Sequence, residues 1–290
     1  MQAMKKPFQK IALIGRYQSP DMREQILSLA RFMTERGLLV LIEKNTADIC
    51  EIDGYRVLEL NSLGKFAELA VVLGGDGTML SVARSFAETN IPLVGVNRGR
   101  VGFLTDLSTE TMLDAMAKIL DGQFSVEQRI LLSASITRNG QVISQGKAMN
   151  DVVVTKSGMS RLIELEVHID GYFVHKQRSD GLIVATPTGT TAYALSAGGP
   201  ILHPTLDAIA LVPICPHTLS NRPITINSGS VVEITLAHAE DAGVHFDGQM
   251  QMALKQGDKI EVRRAEKTVS LLHSLGHSHY DTLREKLSWG

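Results

Sequence analysis

Along the first 120 residues, apolar runs of strand length alternate with stretches in which apolar side chains recur every three or four positions. Short continuous runs followed by a 3.6-residue period mark an α/β unit, where parallel strands buried on both faces are joined by amphipathic helices. Residues 11–14 predict the first strand. A helix over 22–36 follows, with Ile26, Leu29, Ala30 and Met33 on one face and Gly37 as its stop. Strands at 38–42, 69–73 and 91–96 and helices at 79–87 and 109–120 continue the pattern. Met79, Val82, Ala83 and Phe86 form the buried stripe of the first of these helices.

After about residue 124 the texture changes to short alternating runs broken by turn residues, the pattern of an antiparallel, sandwich-like region. Residues 164–169 alternate polar and apolar, Asp170-Gly171 reads as a two-residue hairpin turn, and 172–176 run back. Further strands are expected at 231–237, 243–246 and 259–263, and a short helix at 280–287. The expected organisation is therefore a parallel-sheet α/β domain over 1–123, a β-rich domain over 124–270, and a tail over 271–290 that packs back on the first domain.

The chemistry concentrates at LAVVLGGDGTML, residues 69–80, where a buried-type strand empties through Gly74, Gly75, Asp76, Gly77 and Thr78 into a helix. Ligands of α/β proteins bind at such carboxyl ends. The glycines let backbone N–H groups approach a phosphate, and the helix start adds about half a positive charge. Asp76 does not fit an anion loop unless it holds a metal ion or takes a proton from an attacking hydroxyl. It could equally cap the helix, and spacing alone leaves both readings open. Neither GxxxxGK[ST] nor GxGxxG occurs, which disfavours P-loop ATPases and ordinary dehydrogenases.

A second cluster, residues 177–200, runs from an apolar strand into TPTGTTAY at 186–193. Its hydroxyls suit a ribose or diphosphate, although 188–191 reads first as a capped helix start. Asn150 and Asp151, ahead of an apolar strand, have the composition of a turn. His273, His277 and His279 would share a helical face in part, but nothing near them in sequence supplies outer carboxylates, and a solvated tail without metal is the favoured reading. Ser196 lacks the first glycine of a nucleophile elbow.

Composition narrows the field further. A net charge of −2 lacks the footprint of nucleic-acid binding, and 290 residues suffice for a large core. Cys50 and Cys215 stand too far apart in sequence for a redox pair or a Cys-rich zinc site and are expected as buried, reduced thiols. The run at 11–14 is too short for a signal peptide core or a membrane span, so a cytoplasmic protein without membrane contact is expected.

Taken together, GGDGT at 74–78, NRGRVGFL at 97–104, ND at 150–151, RSDG at 178–181, TPTGTTAY at 186–193, SAGGP at 196–200 and PHTLSNRP at 216–223 resemble the bacterial NAD kinase family over nearly the whole chain. GGDGT alone is shared with phosphofructokinases and diacylglycerol-type lipid kinases; TPTGTTAY with PHTLS is far more specific. The resemblance implies transfer of a phosphoryl group from ATP or polyphosphate, carried with Mg²⁺, to the 2′-hydroxyl of the adenosine ribose of NAD. It implies Asp76 as proton acceptor and Gly74, Gly75, Gly77 and Thr78 as the donor loop. It places NAD on Asp76, Gly77, Asn150, Asp151, Arg161, Arg178, Asp180, Thr191, Ala192, Tyr193, Ala194, Leu195, Ser196 and Gln249, in a homotetramer or homodimer. The family usually has Glu where Asp151 stands, so the reach is one methylene shorter with the charge kept. The rival readings are a lipid or sugar kinase of the wider superfamily and a non-catalytic NADP-binding sensor.

Overall fold

A computed structural model describes residues 7–16, 20–97, 99, 102–158, 161–218 and 220–289. Arg98, Arg100 and Val101 of the NRGRVGFL run, and Leu219 of PHTLSNRP, lie outside the described residues. The chain forms two compact units, Met1–Gln128 with Val269–Gly290, and Arg129–Thr268. It passes from one to the other inside two long strands, Phe124–Arg138 and Lys259–Ser274.

The first unit is built on parallel strands in the order Leu93–Asn97, Leu69–Leu73, Lys10–Gly15, Leu39–Glu43 and Arg56–Leu58. Three successive strands run to one side, and the fourth returns to lie on the other side of the first. The crevice between the carboxyl ends of Lys10–Gly15 and Leu69–Leu73 is thus the topological switch point, and the GGDGT turn leaves from it. Every residue of Leu69–Leu73 is buried, as a central parallel strand requires. Helix Arg23–Glu35 buries Ile26, Leu29, Ala30 and Met33 against this sheet, and helix Met112–Leu120 adds Met116 and Ile119 to the same core. Helix Asp76–Ser85 begins three residues earlier than its apolar stripe predicts, because Gly75 is the extended N-cap and Asp76 already lies in the first turn.

Two short helices, Lys44–Ile49 and Leu60–Phe66, were not expected. The first is started by the buried Glu43, whose carboxylate accepts from Asn45 N at 3.0 Å and Thr46 N at 2.7 Å. Six residues carry too little periodicity to show in the sequence, and Glu is not a usual capping residue.

The second unit is mostly antiparallel. Its six-stranded sheet runs Ile224–Asn227, Ala208–Ile214, Gly181–Ala185, Asp151–Lys156, Ala242–Phe246 and Met250–Leu254. Strands Tyr172–Ser179, Ile163–Ile169, Val232–His238 and the start of Lys259–Ser274 form another antiparallel layer. Ile163, Leu165, Val167, Ile234 and Leu236 meet Val152, Val154, Leu182, Val184 and Val244 in one fully buried core. The expected hairpin turn has φ of +52° at Asp170 and +79° at Gly171, the left-handed pair a type I′ connection requires.

Two expectations are corrected. His273 is not on a helix or in a solvated tail: it ends a 16-residue strand that continues past 263 to Ser274, with Leu271 beside Leu93 of the parallel sheet. It is 3% exposed and lies between the carboxylates of Asp106 and Glu127. Burial lowers its pKa, but the two carboxylates override that and hold it up at about 9. The amphipathic alternation that carries this strand onward is hidden by its charged outward residues. Cys50 is buried as expected, and burial raises its thiol pKa. Cys215 is instead exposed, at a φ of +44° where the strand Ala208–Ile214 ends.

Candidate active site

Strand Leu69–Leu73 delivers Asp76, half-buried, into the first turn of helix Asp76–Ser85. Among the described residues, the hydrogen bonds of this carboxylate all run outside its own helix. It accepts instead from Phe103 N at 2.9 Å on Oδ2 and from Leu104 N at 3.0 Å on Oδ1, with Thr105 Oγ1 3.4 Å from Oδ1. A carboxylate offers about four lone-pair positions, so these bonds fix its orientation and leave Oδ2 able to accept once more. Gly102 makes this possible. A Cβ there would overlap Asp76 Oδ1 and stand 2.5 Å from Thr105 Oγ1 and 2.8 Å from Asp76 Cγ. The turn itself is open at Gly75, where an added Cβ would meet nothing within 4 Å, while the side chain of Thr78 folds over Gly74.

In the second unit, Asn150, Asp151, Ala192 and Tyr193 line a cavity of about 350 Å³ together with Val153, Thr155, His245, Asp247 and Gly248. Asp151 is 4% exposed, and burial, reinforced by the neighbouring Asp247 charge, pushes its pKa up to about 7. Tyr193 is raised as well, by burial first and then by the charges of Cys215, Asp180 and Asp151. Burial lowers His245. A pocket of mixed apolar walls with a few convergent polar groups is of the kind that holds a nucleoside.

Asp247 organises the entrance to the strand Asp151–Lys156. Its carboxylate accepts from Met149 N at 3.1 Å, Asn150 N at 2.7 Å and Asp151 N at 3.2 Å, satisfying three consecutive donors that the chain reversal leaves without ladder partners. The other side of Asn150 is fixed by the TPTGT turn: Thr186 N donates to Asn150 O at 2.8 Å and Thr186 Oγ1 to Met149 O at 2.6 Å. Gly189 packs directly on the Asn150 backbone, 2.7 Å separating Asn150 Cα from the place of an added Cβ. The threonine hydroxyls are therefore not arrayed toward a ligand. Gly189 N donates to Thr186 Oγ1, Thr190 Oγ1 to Pro187 O and Thr191 Oγ1 to Thr188 O, and Arg129 donates to Thr188 Oγ1. Residues 188–191 form a 3₁₀ turn, with the Thr186 hydroxyl capping Gly189 N, before the four-residue helix Tyr193–Ser196. A buried turn must satisfy its own backbone, and the hydroxyls do that first.

The remaining expected residues are not among those lining the cavity. Ala194 packs in the core with Val153, Ile183 and Val212, Leu195 is half-buried, and Ser196 is exposed. Asp180 pairs with Lys156 at 2.9 Å, Arg178 with Glu164 at 3.5 Å and Arg161 with Glu240 at 3.5 Å. Gln249 is exposed in the turn after Asp247. Sequence reading passed over Asp247 and Gly102. The Asp-Gly at 247–248, with φ of +51° and +64°, was a readable turn signal, but its capture of three distant amides was not.

A phosphate-permissive turn with a fixed carboxylate at the switch point of a parallel sheet, joined to a β-rich unit with a nucleoside-sized pocket, defines a nucleotide-handling phosphotransferase. Residues 12–124 match the ATP-NAD kinase N-terminal domain and residues 149–274 the ATP-NAD kinase C-terminal domain. The NAD kinase of Thiobacillus denitrificans is 51% identical over 287 residues, covering 99% of each chain, and that of Nitrosomonas europaea is 49% identical, covering 97% of this chain and 95% of its own. Among solved structures, yeast NADH kinase complexed with NADH superposes with a TM-score of 0.88 at 25% identity, over 99% of this chain and 89% of that one. An NAD kinase from Archaeoglobus fulgidus in complex with ATP gives 0.76 at 25% identity, over 97% and 100%. The chain belongs to the NAD kinase family.

Proposed function

We propose that this protein transfers the terminal phosphoryl group of ATP to the 2′-hydroxyl of the adenosine ribose of NAD, giving NADP. The observation that carries the mechanism is the anchoring of Asp76: its oxygens are oriented by the Phe103 and Leu104 amides rather than used to cap a helix, and one acceptor position is left over. In this reading Asp76 accepts the hydroxyl proton as the bond to phosphorus forms. Mg²⁺ enters with the donor as its counter-ion, beside the turn of Gly74, Gly75, Gly77 and Thr78. Asn150, Asp151, Ala192 and Tyr193 hold the dinucleotide, with Arg161, Arg178, Asp180, Thr191, Ala194, Leu195, Ser196 and Gln249 as its further expected contacts. Polyphosphate is the alternative donor, and the working form is a homodimer or homotetramer in the cytoplasm. No helix among the described residues is long and apolar enough to cross a membrane.

Phosphoryl transfer passes through a loose transition state, so positioning and charge neutralisation supply most of the rate and a general base about 10²- to 10⁴-fold. The test is NADP formation by the pure protein from NAD, Mg²⁺ and either ATP or polyphosphate. Asp76→Asn should lower kcat about 10²- to 10⁴-fold with NAD affinity within a few-fold. Equal losses of binding and turnover would show Asp76 to be structural. Binding without turnover for any donor would make the protein a sensor instead.

A further inference from the structure

Next to the segment whose amides hold Asp76, the first unit gathers a second constellation of chemically capable side chains. His273 Nδ1 lies 3.1 Å from Asp106 Oδ2, and its Nε2 is 3.2 Å from Glu127 Oε2 without the alignment of a hydrogen bond. His277 stacks on His273, with ring centroids 4.3 Å apart and planes 8° from parallel, and its Nδ1 is 3.8 Å from the same Asp106 oxygen. The Asp106 side chain is only 8% exposed, yet its Oδ1 has no hydrogen-bond partner among the described residues.

These contacts leave one acceptor unserved. A neutral imidazole has one N–H, so it can serve one of the two flanking carboxylates and turns a lone pair on the other. A second proton would serve both and still leaves Asp106 Oδ1 without a partner among the described residues. A divalent ion held between Asp106 and the two rings supplies that partner. One ligand atom from each of Asp106, His273 and His277 lies within 4.8 Å of the others. Bonds of about 2.0–2.2 Å to a tetrahedral ion separate ligand atoms by about 3.3–3.6 Å, so the widest pair must close by up to about 1.5 Å.

We propose that Asp106, His273 and His277 form a binding site for one divalent transition-metal ion of the Zn²⁺ class, with Glu127 accepting the outer N–H of His273. Two imidazoles and one carboxylate select Zn²⁺, Co²⁺ or Ni²⁺ over Mg²⁺, so this site is distinct from the ion carried by the phosphoryl donor. A carboxylate behind a ligating histidine is the usual orienting partner of such sites, and Glu127 stands in that position. Lone pairs of parallel rings run side by side, so binding tilts His277, the more exposed ring at 19% against 3%, out of its stack. Asp106 follows directly on the segment whose amides hold Asp76, and the ion would brace that segment against the end of the strand Lys259–Ser274.

The test needs no catalysis. Full-length protein stripped with chelator is titrated with Zn²⁺, and separately with Co²⁺ followed by its visible absorption, in the absence of nucleotide. One ion per chain is expected, together with a rise in Tm. His277→Ala and His273→Gln should each weaken binding at least tenfold, and Glu127→Gln by about 10- to 100-fold. If His273→Gln does not fold, His277→Ala on the partly exposed ring carries the comparison. Wild type that binds no ion, or that binds no more tightly than His277→Ala, overturns the site.

Discussion

Gly102→Ala isolates the claim that the position of Asp76, and not merely its presence, sets the rate. The backbone of Gly102 is not in the left-handed region, so alanine costs nothing in φ, and its methyl group acts only through space. That methyl would sit 2.8 Å from Asp76 Cγ, against 3.4 Å for ordinary contact, so the carboxyl group must move by at least about 0.6 Å. Such a move stretches hydrogen bonds of 2.9 and 3.0 Å from Phe103 N and Leu104 N toward the limit of useful geometry. Losing two bonds to a charged acceptor costs up to about 3–6 kcal/mol of stability. A misplacement approaching 1 Å costs about 10- to 100-fold in turnover. The cavity proposed to hold the dinucleotide is lined by residues of the other unit, so KM for NAD should stay within about threefold. Steady-state kinetics of NADP formation, with a urea melt on the same preparation, separates the outcomes. A variant that is as stable as wild type and keeps kcat within twofold refutes the assigned role of Asp76.

Asp247→Ala strips the acceptor from three consecutive amides and should cost about 2–4 kcal/mol in a urea melt while raising KM for NAD more than it lowers kcat; Asp247→Asn, with one acceptor oxygen, should recover part of both. Asp151, raised from 3.8 to about 7 by burial and Asp247, binds its proton more tightly folded than unfolded, so its contribution is fully present below about pH 4 and lost as pH rises through 7. Wild type should therefore lose stability relative to Asp151→Asn between pH 4 and 8, by an upper limit of about 4 kcal/mol, and melts that stay parallel across that range would contradict the burial argument. Gly189→Ala forces the TPTGT turn off the Asn150 backbone and should weaken NAD binding at least tenfold by calorimetry, with secondary structure by circular dichroism unchanged.

The parallel sheet and its first helices were readable because each obeys one period over enough residues: Ile26, Leu29, Ala30 and Met33 fall on one stripe and do face the core. Asp170-Gly171 was readable because its backbone demand is local. What escaped were features defined by partners far along the chain. Asp76 meets amides 27 and 28 residues away, and Asp247 meets amides nearly a hundred away. The TPTGTTAY run drew attention through its hydroxyls, yet most of them close the turn on itself; its contribution is a rigid backing for Asn150. His273 was misread because a strand with charged outward residues resembles a tail until its neighbours, Asp106 and Glu127, are brought in from 167 and about 150 residues away.

A common device runs through these sites. Segments that leave a regular ladder expose consecutive N–H donors, and this chain satisfies them with carboxylates, the adjacent Glu43 on Asn45 and Thr46, and the distant Asp76 on Phe103 and Leu104 and Asp247 on the residues from Met149 to Asp151. Each such acid performs two tasks, because a carboxylate pinned by two or three amides is also a charge held at a fixed point. At Asp247 that charge acts on Asp151, and at Asp76 the fixed point is where the proposed mechanism needs its proton acceptor. The stability of the irregular loops and the placement of the reactive groups are therefore coupled. Substitutions that loosen the amide cradles should lower stability and turnover together, whereas those confined to the cavity walls, such as Val153 or Thr155, should separate the two.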